Sequence, residues 1–166
     1  MKLYIVRHAI AVPHGTPGVA EDDRTLTEEG TKKMERVAEG LRILEVLPDL
    51  ILTSPLPRAR QTADILHQAL GEKIPLKEVP ALAPLGSRSL VYKEIAANSK
   101  IENLMLVGHQ PSLGEIAGEI AWGSAEHYVE LKKGGACALD VDATRSTPKG
   151  TLLWLATPAM LRSLAR

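Results

Sequence analysis

The sequence has few of the residues that mark several large classes of protein. Its 166 residues include one cysteine and no phenylalanine, and aromatic side chains make up only 3%. A lone cysteine, Cys137, cannot form a disulfide within the chain, which excludes a disulfide-stapled fold, and we expect it to be a small buried hydrophobe. Twenty basic and 20 acidic residues cancel, so there is neither a strongly basic balance nor a set of stacking rings for nucleic acid. We expect no nucleic-acid partner.

Long apolar runs are also missing. No stretch approaches the ~20 consecutive apolar residues of a membrane-spanning helix, and the segment between Lys2 and Arg7 is too short for the apolar part of a signal peptide. We therefore expect no membrane partner and a cytoplasmic location. The chain has no repeat or linker that would divide it, and its length predicts a single domain over residues 1–166.

Three apolar runs each end beside a residue that can bind an anion. The runs cover residues 3–6, 49–54 and 103–107 and read as short buried strands. The groups that follow them are Arg7 with His8, Arg58 in the first turn of a proline-opened helix, and His109. Ligand crevices of open α/β sheets lie at the carboxyl ends of strands. The pattern predicts an anion-handling site at one edge of a sheet.

Strand and helix patterns alternate along the rest of the chain. Thr27 is the expected N-cap of a long helix, whose apolar positions are Met34, Val37, Ala38, Leu41 and Leu44. Further helices are predicted at about 57–70, 88–98, 111–122 and 158–165, and strands near 76–79, 103–107, 135–142 and 151–156. This order predicts a three-layer α/β/α fold with a mostly parallel central sheet. The last two strands are expected to form an antiparallel hairpin around 148–150.

The motifs resemble those of the histidine phosphatase superfamily. That family has an Arg-His pair after its first strand, a Ser-Pro-x-x-Arg-Ala-x-Gln-Thr segment after its second and a later Gly-His. Here they correspond to residues 7–8, 54–62 and 108–109. The Arg24-x-Leu26-Thr27 and Leu82-x-Pro84-x-Gly86 segments look most like the SixA-type phosphohistidine phosphatases. The resemblance implies a phosphoglycerate mutase-like fold.

The resemblance also implies roles for the site residues. His8 would attack phosphorus and form a covalent phosphohistidine, while His109, Arg7 and Arg58 would bind the phosphoryl oxygens; the main-chain amide of Gln110 is a plausible extra donor. Spacing alone does not assign the two histidines. No metal-ligand motif, Walker loop or Gly-x-Gly-x-x-Gly turn is present, so we expect neither a metal nor another cofactor.

The general acid of the wider superfamily has no counterpart in the sequence. Mutases and many phosphomonoesterases of this fold have a glutamate in a Leu-x-Glu segment, whereas residues 82–84 read Leu-Ala-Pro. A phosphoramidate is easier to cleave without a strong acid than a phosphoester is, which points to phosphohistidine. Glu21 and Asp22 are candidates for a replacement acid, although an acidic loop paired with Arg24 is the simpler interpretation. Ala9 stands where glycine is common, and would be strained if its φ were positive.

The expected substrate is a protein-borne phosphohistidine, in a phosphotransfer domain for example, because no long insertion caps the site. Two alternatives stay open: a broader phosphomonoesterase or small mutase acting on a small phosphate ester, and a non-catalytic phosphohistidine-binding module. Other polar residues are expected to be bystanders. Arg60 is predicted to lie on a solvated surface, and structural or solvent roles without specific partners are predicted for His14, His67 and His127.

Overall fold

The computed structural model describes residues 1–165. It contains six strands, β1 Lys2–Arg7, β2 Leu50–Thr53, β3 Leu76–Glu78, β4 Asn103–Gly108, β5 Ala136–Asp142 and β6 Lys149–Ala156. Within the same residues lie five α helices, α1 Glu28–Ile43, α2 Pro57–Leu70, α3 Arg88–Ala97, α4 Ser112–Trp122 and α5 Pro158–Leu164. The predicted three-layer α/β/α architecture is confirmed.

The six strands form one sheet in the order β3-β2-β4-β1-β5-β6. Strands β3, β2, β4 and β1 pair in parallel, whereas β5 runs antiparallel to both β1 and β6. The expected late hairpin is therefore present, but Lys149 and Gly150 belong to β6 and the turn precedes them. The central strand β4 lies between β1 and β2, so their carboxyl ends meet at one edge.

Alternation along the strands divides the core between the two faces of the sheet. In β1, Leu3 and Ile5 pack towards α3 and α4, while Tyr4 and Val6 pack towards α1, α2 and α5. Strands buried on both faces are typical of sheets covered by helices. Cys137 is fully buried on the α3/α4 face, as expected, and burial raises the pKa of its thiol to about 12. The thiol is therefore protonated at neutral pH.

Helix α1 begins as the sequence predicts. The Thr27 hydroxyl oxygen accepts a hydrogen bond from the Gly30 amide at 2.9 Å, and the predicted positions from Met34 to Leu41 are buried. Leu44 was expected on this face but is 47% exposed, because the helix ends at Ile43. A Cβ on Gly30 would lie 2.0 Å from the Ile10 carbonyl oxygen. Glycine there lets the loop after β1 pack directly on the start of α1.

None of the helices within residues 1–165 is long and apolar enough to cross a membrane.

Candidate active site

The carboxyl ends of β1, β4 and β2 bring the predicted site residues together. Arg7 is paired in register with Gly108, and the His8 amide continues this pairing by donating to the Gly108 carbonyl oxygen at 3.0 Å. On the other side of β4, the Ser54 amide donates to the Val107 carbonyl oxygen at 2.9 Å. Parallel pairing thus fixes the starting points of the segments that carry Arg7, His8, Arg58 and His109.

His8 is held in the tautomer that a nucleophile requires. Its ring is buried, and Nδ1 lies 2.8 Å from the Ala9 carbonyl oxygen. Because a carbonyl only accepts, the proton must be on Nδ1, which leaves the lone pair of Nε2 for bond formation. Ala9 is not in the left-handed region, so the strain considered for a positive φ is absent. Its amide donates to the Thr62 hydroxyl oxygen at 3.0 Å, which anchors the loop.

His109 faces His8, with 5.1 Å between ring centroids and 54° between the ring planes. Its Nε2 lies 2.8 Å from the Ser54 hydroxyl oxygen, which also accepts from the Leu56 amide at 3.3 Å. When Ser54 donates to Nε2, the single proton of the neutral ring is on Nδ1. This Nδ1 is buried and has no partner within the protein, so in that tautomer it can donate to an incoming anion.

Burial keeps both histidines neutral. Desolvation, reinforced mainly by Arg58 and Arg7 and opposed by the Ala9 hydrogen bond, lowers the pKa of His8 to about 4. Desolvation, with His8 and Arg58 as further causes, lowers the pKa of His109 to about 3. A neutral ring is compatible with both suggested roles. As a nucleophile His8 needs a free lone pair, whereas His109 needs only one N–H to donate to a bound anion.

Three arginines surround the histidine pair, and each is fixed by a main-chain oxygen. The Nη1 of Arg7 donates to Leu131 at 2.8 Å, that of Arg58 to Glu21 at 3.0 Å, and that of Arg24 to Val12 at 3.0 Å. Desolvation lowers the pKa of Arg7 and of Arg58. Buried arginines are stable only when their donors find acceptors.

The unpartnered polar atoms identify the ligand that fits here. Among the described residues, the buried side-chain nitrogen and oxygen atoms without a hydrogen bond are the Nε atoms of Arg7, Arg24 and Arg58 and the Nδ1 of His109. Guanidinium groups only donate, and buried donors normally have partners. Arg7 and Arg58 act on both histidines, and Arg24 acts on His109 and Arg58; donors grouped in this way fit a tetrahedral oxyanion.

Arg24 also belongs to this group of cations, and the sequence reasoning did not place it there. It was interpreted as an ion-pair partner of an acidic loop, yet its charge contributes to lowering the pKa of both His109 and Arg58. Its side chain is only 12% exposed. The sequence feature that could have identified Arg24 is its place in the Arg-x-Leu-Thr segment, which ends at Thr27, the N-cap of α1.

Glu21 is a poor candidate for a general acid in this arrangement. Its carboxylate lies 2.5 Å from Arg24 and 3.8 Å from Arg58, and its other oxygen contacts His14. Hydrogen bonds from Arg24 and then His14 lower the pKa of Glu21 to about 2, so it is ionised at neutral pH. The expectation that His14 has no partner is wrong. Asp22 lies in the same 3-10 helix, Glu21–Asp23, and its acid role stays a prediction.

The remaining predicted residues lie at or beyond the edge of the site. The Gln110 side chain is occupied, since it donates to the Val129 carbonyl at 3.0 Å and accepts from the Gly114 amide at 2.8 Å; the role of its main-chain amide stays a prediction. Arg60 points away from the histidines and pairs with Asp64 at 3.0 Å and Glu78 at 2.9 Å. His67 is half-buried on α2, and His127 is exposed in a turn.

A cavity of about 490 Å³ opens beside His109. It is lined by residues 84–89, which lead into and begin α3, by residues 109–112 and by Glu115 in the first turn of α4. Within residues 1–165, no three histidine, cysteine or acidic side chains are grouped as a metal site would require.

A family model describes the part of the chain that carries most of this site. Residues 3–86 match the histidine phosphatase superfamily, branch 1. The chain belongs to this superfamily. Membership identifies it as a phosphatase, a hydrolase of phosphorylated substrates, and agrees with the resemblance seen in the sequence.

Individual relatives of this histidine phosphatase extend the similarity over the whole chain. An uncharacterised protein of Picosynechococcus sp. is 44% identical over 87% of this chain and 88% of its own. The phosphohistidine phosphatase SixA of Escherichia coli is 24% identical over 98% of this chain and 97% of its own. The solved structure of the protein histidine phosphatase SixA complexed with tungstate has a TM-score of 0.84, with 24% identity, and covers 96% of this chain and 98% of that chain. These similarities support a SixA-type fold.

Proposed function

We propose that this phosphatase hydrolyses protein-borne phosphohistidine through a covalent intermediate on His8, without a metal ion. The observation that carries the proposal is the set of unpartnered buried donors on Arg7, Arg24, Arg58 and His109, the residues grouped with His8 at this edge of the sheet. Three guanidinium groups supply the positive charge that phosphoryl transfer needs, so side chains alone can stabilise the transition state.

The reaction has two displacement steps. In the first, the Nε2 lone pair of His8 forms a bond to phosphorus while the P–N bond of the substrate breaks; the leaving imidazole keeps that electron pair and takes a proton from water. In the second, a water oxygen attacks phosphorus and the bond to His8 breaks, which returns the electron pair to Nε2; the proton that the attacking water loses combines with the hydroxide left by the first step. The net reaction converts phosphohistidine and water into histidine and phosphate.

The nature of the leaving group explains why we favour phosphohistidine over a phosphoester as the substrate. Of residues 82–84, Pro84 lines the cavity beside His109, and none of the three supplies a carboxylate. The Glu115 carboxylate in the same cavity is bound by Arg88, and Glu21 is ionised by its cationic neighbours. Expelling an alkoxide without a proton donor is slow, whereas an imidazole is a much better leaving group. This supports the SixA-type activity over a general phosphomonoesterase.

The covalent intermediate provides the test. Enzyme quenched during turnover of ³²P-labelled phosphoramidate should carry acid-labile, base-stable label on His8, and His8→Ala should lose both label and turnover. His109→Ala should slow the reaction yet leave the label on His8. A chelator present throughout should leave the rate unchanged, and phosphohistidine should be hydrolysed faster than phosphoglycerate by about 100-fold or more.

Other outcomes would favour the alternatives. Label on His109 or undiminished hydrolysis by His8→Ala would overturn the assignment of the nucleophile. Faster turnover of phosphoglycerate would point to the phosphomonoesterase or mutase. Phosphate binding without any turnover would indicate a binding module, and activity restored only by a divalent ion would contradict the metal-free mechanism.

A further inference from the structure

The rim of the cavity beside His109 carries a leucine in an unfavourable backbone conformation. Residues 83–86 form a tight turn in which the Gly86 amide donates to the Ala83 carbonyl oxygen at 2.9 Å. Pro84 occupies its second position, and Leu85 its third position with φ of 64°. Turns of this kind favour glycine or asparagine at the third position, because a Cβ clashes with the main chain there.

No burial of the Leu85 side chain in the core offsets this backbone strain. Its side chain is fully exposed, and it is the most exposed large apolar side chain within residues 1–165. The turn that carries it is nevertheless fixed. Leu82 just before it is buried, and a Cβ on Gly86 would lie 2.1 Å from the Ala81 carbonyl oxygen. A strained residue that is held rigidly and exposed to solvent indicates a role other than stabilising the fold.

The cavity behind Leu85 has no uncompensated charge among its lining residues. Arg88, its one basic side chain, is bound by Glu115 at 2.6 Å and by Glu119 at 3.4 Å. The other polar side chains are neutral hydroxyls, amides and the His109 ring, as supplied by Ser87, Ser89, Ser112 and Gln110. A second phosphate or carboxylate on a small substrate would find no free cation here. A neutral leaving group such as an imidazole on a polypeptide fits better.

We propose that this cavity receives the polypeptide around a phosphohistidine and that Leu85 packs against an apolar side chain beside it on the same surface. The inference rests on the proposed function and adds to it a specificity residue and a partner surface. Continuity supports this occupant, since the cavity wall includes His109 itself and Leu85 stands on the same rim. Burying one leucine against an apolar neighbour increases the affinity for a substrate protein that carries such a neighbour, and it does so without contact with the reacting atoms.

Two helical peptides that differ only beside the phosphohistidine test the proposal. One carries leucines three and four residues after the phosphohistidine, on the same helical face, and the other carries serines there. We expect the parent enzyme to prefer the leucine peptide about tenfold in kcat/KM, and Leu85→Asn to reduce that preference to nearly one. Turnover of free phosphoramidate should stay within about twofold.

The matched control is Leu47→Asn. Leu47 is 56% exposed and lies in the loop that enters β2, at the opposite edge of the sheet from the site, so the peptide preference should remain. Asparagine tolerates a positive φ, and the melting temperature of Leu85→Asn should therefore equal or exceed that of the parent.

Each contrary result has a distinct meaning. An unchanged peptide preference in Leu85→Asn would overturn the docking role, as would an equal loss on phosphoramidate, which would place Leu85 in the catalytic machinery. A lower melting temperature would show that Leu85 serves the fold. If the parent hydrolysed neither phosphoramidate nor either peptide, the proposed function itself would fail.

Discussion

At the scale of single residues, the site combines neutral histidines with arginines that have few acceptors. Burial lowers the pKa of His8 and of His109 to about 4 and about 3, so the positive charge comes mainly from guanidinium groups, with Lys133 as a smaller contributor at His8. Arginine keeps its proton under these conditions, and its planar fork matches the oxygens of a phosphoryl group. The two residue types therefore have different roles: the imidazoles attack phosphorus or donate a hydrogen bond, and the arginines neutralise the charge of the phosphoryl group.

Removing these arginines should therefore damage the transition state. We expect Arg7→Ala, Arg24→Ala and Arg58→Ala each to lower kcat/KM by about 10²–10⁴-fold, since each removes a charge-assisted donor from the developing negative charge. Steady-state kinetics with phosphoramidate provides the measurement.

Arg60→Ala is the matched control for this series. Arg60 lies two residues after Arg58 on the same helix, but its side chain pairs with Asp64 and Glu78. Its kcat/KM should stay within about twofold of the parent value. A loss as large as that of Arg58→Ala would show that α2 presents a different face to the substrate.

The sequence predicts some of these residues better than others. Arg7 ends a buried strand, and His8 and His109 directly follow buried strands, so sheet geometry places them together whatever the details of the loops. Arg24 comes from a loop, and its approach depends on Val12 and Gly30 contacts that no periodicity encodes. The positive φ of Leu85 was equally invisible, because a turn type is set by the packing of Leu82 and Gly86 around it.

At the scale of elements, the 3-10 helix Glu21–Asp23 lies over the arginines. The Glu21 main-chain oxygen accepts from Arg58, and its carboxylate lies beside both Arg24 and Arg58. A carboxylate in this position competes for the cations that a phosphoryl group would use. The acidic segment thus acts as an internal counter-ion at the entrance.

Glu21→Gln separates this role from that of a general acid. As a counter-ion, Glu21 weakens anion binding, so the glutamine variant should bind inorganic phosphate or tungstate about three- to tenfold more tightly, with kcat changed by less than about threefold. Competitive inhibition of phosphoramidate turnover provides the measurement.

Asp23→Asn, a change in the same short helix, should leave both quantities near the parent values. If Glu21 were the acid, kcat of Glu21→Gln would fall by about 10²-fold or more and phosphate affinity would stay constant. The same assays on Asp22→Asn test the second acid candidate.

Element types were predictable, but their neighbours in the sheet were less so. Helices and strands follow from spacing and from caps such as Thr27. The insertion of β4 between β1 and β2, by contrast, depends on right-handed crossovers and on which helix covers which face. The sequence patterns predict a mostly parallel sheet but not the order of its strands.

At the scale of the whole molecule, two buried neutral histidines link folding to pH. In the unfolded chain a histidine titrates near pH 6.5, whereas in the native protein the pKa values of His8 and His109 lie near 4 and 3. Between these limits the unfolded state binds more protons than the native state. Stability therefore falls as the pH drops from about 6.5 towards 4, and it is unaffected by these groups above about pH 7.

The size of this effect is open to measurement by urea unfolding in phosphate-free buffer. Between pH 7 and pH 5, each of the two histidines should lower the free energy of unfolding by about 2 kcal/mol. In His8→Asn the difference between the two pH values should shrink by about that amount, because one of the two groups that link protons to folding is gone. His67→Asn is the control: the ring is half-exposed on α2, and its removal should leave the difference unchanged. Equal pH dependence in the parent and His8→Asn would show that His8 is protonated in the native site, where it could not attack phosphorus.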